Sequence, residues 1–258
     1  MNQGIRGTRA RSALRSQLRR LSVVALLLGA LGLIPLAAPA GAAGRLEGID
    51  VSTFQGTINW ADVAADGIDF AYARATYGRL SSGTDEQYAR NKERAEASGV
   101  PFGAYHFAYP DNTANDAILE AGNFVDFADL GPANLIPVLD IEEHGGLGPK
   151  KLRKWVKAWL FEVEARTGVK AMIYTSPNFW KERMGNPRWF ANNGYRLWIA
   201  HWHAAKPTVP AGKWSGRGWT LWQYDNCGTV AGIDGCVDLD RFKGTNIDIL
   251  RMSNNGGG

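Results

Sequence analysis

Leu135-Ile136-Pro137-Val138-Leu139-Asp140-Ile141-Glu142-Glu143-His144-Gly145-Gly146 is an apolar run that ends in a cluster of acids and then in a pair of glycines. The run has the length and composition of a buried strand, and the glycines read as the turn that leaves it. Behind it, residues 150–166 place Leu152, Trp155, Val156, Trp159, Leu160 and Val163 at helical spacing along one stripe, and Gly168 ends the helix. Strand, turn and helix in that order form the unit of an α/β protein. The alternation extends in both directions, with strands expected at 48–51, 68–75, 101–108, 135–141, 169–175, 196–200, 219–224 and 236–239. Further helices are expected at 60–65, 85–98 and 114–127, whereas the connections after Thr175 are shorter and more irregular. These eight strands predict a mostly parallel sheet closed as an irregular TIM-like β/α barrel, with an outer helix ring that is incomplete on the C-terminal side.

The chain has 258 residues and a formal net charge of +4. Its first forty residues read as an export signal: six arginines between Arg6 and Arg20, an apolar stretch up to Leu36, and an Ala38-Pro39-Ala40 cleavage site. That apolar stretch is short of the about 20 residues a spanning helix needs, although a retained anchor is the alternative. Arg19-Arg20 fits a twin-arginine route as well as the general one. Residues 41–258 are expected to form one catalytic domain, because no linker or repeat divides them. Without the leader, 23 basic side chains face 25 acidic ones. Such a domain lacks the basic stripe that nucleic acid requires and has no membrane partner once the signal is gone. A monomer is the default.

Side chains alternate along a strand, so Asp140 and Glu142 face the same way, and Glu143 faces away from them. Active sites of parallel barrels lie at the C-terminal strand ends, where this pair falls. Cleavage of a glycosidic bond needs one protonated and one ionised carboxyl group, and crowded acids of different burial supply that split. Alone, a D-x-E pair also fits two solvated acids. Acids recur, however, at Asp50 in the first strand and Asp238 in the last, and barrel closure brings those two strands together. Asp240 shares the parity of Asp238 and is expected to act structurally.

Trp198, Trp202, Trp214, Trp219, Trp222 and Tyr224 crowd the C-terminal third. Trp155, Trp159 and Trp198 suit the core. Trp202, Tyr105 and Trp222 are candidates to stack on sugar rings as readily as to fill the core. His106 reads as a satisfied barrel histidine. His201-x-His203 lacks an obvious third ligand, so no metal is expected. Cys227 and Cys236 suit a small disulfide loop in an oxidising compartment, with free thiols or half a metal site as alternatives. No serine elbow, phosphate loop or dinucleotide fingerprint appears in the mature chain.

Between Gly48 and Phe242 the chain resembles the glycoside hydrolase family 25 lysozymes, the Chalaropsis-type muramidases. The resemblance rests on Gly48-Ile49-Asp50-Val51-Ser52, Gly103-Ala104-Tyr105-His106-Phe107, Val138-Leu139-Asp140-Ile141-Glu142, Ile173-Tyr174-Thr175, Leu197-Trp198-Ile199-Ala200-His201-Trp202, Leu221-Trp222-Gln223-Tyr224 and Val237-Asp238. It implies an irregular barrel that hydrolyses the β-1,4 bond between N-acetylmuramic acid and N-acetylglucosamine in peptidoglycan glycan strands, without a metal or organic cofactor. It also implies Glu142 as general acid, Asp140 as its partner, Asp50 and Asp238 as further catalytic acids, and Tyr105, Tyr174 and Trp202 as substrate contacts. Two departures stand out: Tyr77 replaces an acid in Arg74-Ala75-Thr76-Tyr77-Gly78, and Asp240 replaces an asparagine, adding charge beside Asp238.

Three rivals remain at this level. A barrel that binds glycan without cutting it has no use for four acids. A chitinase-type D-x-D-x-E strand is disfavoured by Val138 in its first acidic position. A metal-dependent wall amidase is a third, distant reading.

Overall fold

A computed structural model describes residues 45–79 and 82–256, so the expected signal at 1–40 lies outside the described residues. Eight strands close into one barrel: β1 (Leu46–Val51), β2 (Phe70–Tyr77), β3 (Phe102–Phe107), β4 (Val138–Asp140), β5 (Met172–Thr175), β6 (Leu197–Ala200), β7 (Leu221–Gly228) and β8 (Val237–Phe242). β1 to β7 pair in parallel, and β8 runs antiparallel to both β7 and β1. The outer layer is uneven, as expected. α1 (Trp60–Ala65), α2 (Tyr88–Ala97), α3 (Asp116–Ala128) and α4 (Pro149–Thr167) cover the first half. The second half has only α5 (Pro177–Glu182), α6 (Trp189–Asn192) and α7 (Pro210–Ser215), in which Ala211 to Trp214 adopt left-handed backbone angles.

α4 starts with Pro149, whose missing N–H costs nothing in a first turn, and stops at Gly168, whose φ of 71° favours glycine. Its six stripe residues are all buried. At about 1.5–3 kcal/mol for each large apolar side chain taken out of water, this face holds the helix on the barrel.

Period-two alternation divides each strand between two cores. Ile49, Ala71, Ala73, Ala104, Leu139, Ile173, Leu197, Ile199 and Trp222 face the helices, while Phe70, Tyr72, Val138, Met172, Trp198, Leu221 and Phe242 fill the barrel. The base is sealed by the C-terminal segment: Leu250 O accepts from Ile136 N at 2.7 Å, and Asn134 O accepts from Met252 N at 2.8 Å. Cys227 and Cys236 are disulfide-bonded across the β7–β8 turn.

Two interior positions are glycines because aromatic rings occupy their side-chain space. A Cβ at Gly48 would lie 2.3 Å from the Phe70 ring, and one at Gly103 would lie 2.3 Å from the Tyr72 ring. Gly103→Ala is therefore expected to lower stability by about 1–3 kcal/mol through overpacking, read as a lower midpoint in thermal melts. An unchanged midpoint would mean that Tyr72 moves aside freely.

Candidate active site

The C-terminal ends of the parallel strands surround a pocket of about 180 Å³ lined by Asp50, Asp140, Glu142 and Asp238, together with Ser52, Phe54, Gln55, Arg74, Tyr105, Phe107, Tyr174, Trp198 and Gln223. All four expected acids therefore meet at one mouth. The first and last strands supply two of them because Asp50 and Asp238 stand directly opposite each other in the antiparallel seam. Asp140 ends β4, and Glu142 lies just beyond the strand, exposed at the rim. Glu143 looks into an adjoining cavity of about 610 Å³ that it shares with Glu142, Phe179, His201 and Trp202.

The acids crowd one another. Asp50 and Asp140 are buried, and desolvation first, then neighbouring carboxylates, raises both well above the ordinary range; Arg74 opposes this at Asp140. Desolvation and then Glu143 raise Glu142. Asp238 is pushed up to about 9 by burial and Asp50. Asp240 lies beneath, fully buried, and is pushed up to about 8 mainly by burial. Its Oδ1 accepts from Trp198 Nε1 at 2.8 Å, the structural role expected of it. Asp140 Oδ1 has no hydrogen-bond partner among the described residues.

Gln223 is a buried hub that residue types alone did not single out. Its Nε2 donates to Asp50 Oδ2 at 2.7 Å, while its Oε1 accepts from Tyr174 Oη at 2.8 Å and from Trp202 Nε1 at 2.7 Å. Trp202, 44 % exposed, thus lines the adjoining cavity beside Glu142 and Glu143 and is tied through Gln223 to Asp50. The opposite rim is also aromatic. The Arg74 guanidinium lies 5.3 Å from the Phe54 ring centre and 5.4 Å from that of Tyr77, and is held by Asp85 at 2.9 Å. Tyr77 meets Tyr109 edge-on. Phe54 was missed because a single exposed aromatic outside a strand carries no periodic signal.

Trp222 is corrected. It is 3 % exposed, absent from the pocket, and faces the outer layer, where its Nε1 donates to the carbonyl of His201. Strand parity decides this, since the inward side chains of β7 are Leu221 and Gln223. Trp198 is core and also pocket floor. His106 is fully buried, with Thr76 Oγ1 2.8 Å from Nδ1 and Glu120 Oε2 2.7 Å from Nε2. His201 Nδ1 accepts from the backbone N–H of Thr208.

Because Asp238 and Asp240 hold protons more tightly when folded than an ordinary aspartate at about 3.9, the folded state binds the extra protons. Their contribution to stability is complete below about pH 4 and is lost as pH rises through about 8 and 9. Asp240→Asn keeps an acceptor for Trp198 and removes one titrating group. Its thermal midpoint should fall less steeply than that of the wild type between about pH 5 and 9; parallel profiles would mean that Asp240 is already ionised.

The family model for glycosyl hydrolases family 25 matches residues 49–233, a range that includes Asp50, Asp140 and Glu142 and stops short of Asp238. Lysozyme M1 of Streptomyces globisporus is 35 % identical over 229 residues, covering 84 % of this chain and 74 % of that one. The N,O-diacetylmuramidase of Chalaropsis sp is 30 % identical over 209 residues, covering 75 % and 96 %. Among solved structures, the bacterial lysozyme from Streptomyces coelicolor superposes with a TM-score of 0.75 at 33 % identity, covering 84 % of this chain and all of that one. The family GH25 lysozyme from Aspergillus fumigatus gives 0.72 at 26 %, covering 81 % and 99 %.

Proposed function

The chain belongs to glycosyl hydrolases family 25, and on that premise we propose that this glycoside hydrolase is a secreted, monomeric lysozyme. It cuts the β-1,4 bond between N-acetylmuramic acid and N-acetylglucosamine, after removal of residues 1–40. The observation that carries the reading is the pairing of a rim carboxyl, Glu142, with a buried one, Asp140, in a single pocket that Asp50 and Asp238 also line.

Glu142 acts as general acid. Desolvation and Glu143 raise its proton affinity, which favours the protonated form an acid catalyst starts from, and its place at the rim lets it reach a leaving-group oxygen. Asp140 faces the developing positive charge. Its Oδ1, unpartnered among the described residues, faces the pocket where a donor on the sugar can meet it, and Arg74 offsets part of the rise in proton affinity that burial and the neighbouring carboxylates impose. Asp50 and Asp238, opposite each other across the seam, complete the acidic wall. Tyr105 and Tyr174 line the floor of the groove. Trp202 on one rim, with Phe54 and Tyr77 on the other, offers ring faces to the apolar C–H faces of the sugars. The partners are peptidoglycan glycan strands, and nucleic acid and membrane play no part.

The test is release of reducing ends from purified peptidoglycan by residues 41–258, with mass spectrometry of the products. Reducing muramic acid termini are expected, undiminished by a chelator, and Glu142→Gln should lower kcat by roughly 10²–10⁴-fold while the fold is kept. Glycan binding without any release by the wild-type domain would replace this reading with that of a binding barrel.

A further inference from the structure

The end of the barrel opposite the mouth carries the other sign of charge. Lys170 precedes β5, Arg196 precedes β6, Arg217 lies in the turn before β7, and Lys243 follows the antiparallel β8. Four adjacent strands thus each bring a cation to the same rim. Lys170, Arg196 and Arg217 line one cavity of about 620 Å³. Lys243 Nζ donates to the Arg217 carbonyl at 3.1 Å and lies beside Gly218 in the wall of that cavity.

Among the described residues these charges are poorly compensated. Glu164 is the single acid in the lining; it stands 4.0 Å from Lys170 and already accepts from Tyr195 Oη. Arg196 is half-buried, and its side-chain partner among the described residues is the neutral Asn255 Oδ1 at 3.3 Å. Burial lowers its pKa accordingly. A guanidinium withdrawn from water without a counter-charge is costly, and an anion in the cavity removes that cost. Nor does the rim reflect a general surplus, because the acids outnumber the bases from residue 41 onward.

We propose that this cavity is a second, non-catalytic site that binds a phosphodiester of the anionic polymers accompanying peptidoglycan in the bacterial wall. Two arginines from separate turns can present N–H forks to phosphate oxygens, and the two lysines add point charge around them. The cavity is wide enough for a phosphate with its flanking polyol. The proposal rests on the lysozyme reading only for the place where such a phosphodiester is met. Its consequence is retention: a basic face at the end of the barrel away from the mouth holds the enzyme to an anionic wall without occupying the groove.

Two measurements test it on the protein of residues 41–258. The first is the thermal midpoint in sodium phosphate against sodium chloride of equal ionic strength. Phosphate should raise it by about 3 °C in the wild type and leave R196Q/R217Q unmoved. The second is co-sedimentation with intact walls and with walls stripped of phosphodiester polymer by hydrofluoric acid. Wild-type binding should fall several-fold on stripping, and the variant should bind both weakly. K170A/K243A, which changes only exposed side chains, repeats both measurements if the arginine variant does not fold. Equal phosphate shifts in wild type and variants, or equal wild-type binding to intact and stripped walls, would overturn the proposal. Reducing-end release from soluble glycan fragments should be the same in every protein. Its absence in the wild type, with the phosphate shift retained, would remove the lysozyme reading and leave the anion site standing.

Discussion

A carboxylate withdrawn from water costs several kcal/mol unless a counter-charge or a proton compensates it, and this barrel withdraws Asp50, Asp140 and Asp240 almost completely, within reach of Asp238 and Glu142. The pocket lining offers them one cation, Arg74. What remains is done with neutral donors and with protons. Gln223 donates to Asp50 and Trp198 donates to Asp240, while burial lifts Asp238 and Asp240 to proton affinities at which they are acids, not anions, near neutrality. Under this constraint the site holds protons where they can be delivered.

The same constraint fixes the aromatic wall. Gln223 has one amide for three neighbours, and its orientation is set from both ends: Asp50 requires the N–H₂ on one side, Tyr174 and Trp202 require the oxygen on the other. A flipped amide would set its N–H₂ against the Trp202 indole N–H, which can only donate. Trp202, which would swing freely as a half-exposed indole, is thereby registered to the first strand. The lone arginine is fixed in a similar way, gripped by Asp85 and flanked by Phe54 and Tyr77.

Much of this was legible in the sequence because strands and helices have different periods. The stripe of α4 and the eight apolar runs correspond to elements of the barrel, with ends shifted by a few residues. The seam followed from one assumption, closure, which put Asp50 opposite Asp238. Trp222 failed for want of a step already used at Asp140 and Glu142: with Gln223 facing inward, its neighbour must face outward. The hub itself was hidden because a glutamine has no periodic signature, and its role exists only where three distant segments meet. The left-handed run in α7 also has no sequence cue, since of Ala211 to Trp214 only Gly212 favours such angles.

The seam between β1 and β8 has a bearing on how the molecule comes into being. Arg241 and Glu47, paired across it, are 194 positions apart, and the residues that seal the base are further along still. The first strand therefore waits, with one edge unpaired, until almost the whole domain has been synthesised. Contacts of such long range make closure a late event in folding. A chain threaded unfolded through a pore would be unable to complete its barrel until the far side had received nearly all of it. The cluster of acids at the mouth is likewise incomplete until β8 has joined β1, because Asp238 faces Asp50 only across that seam.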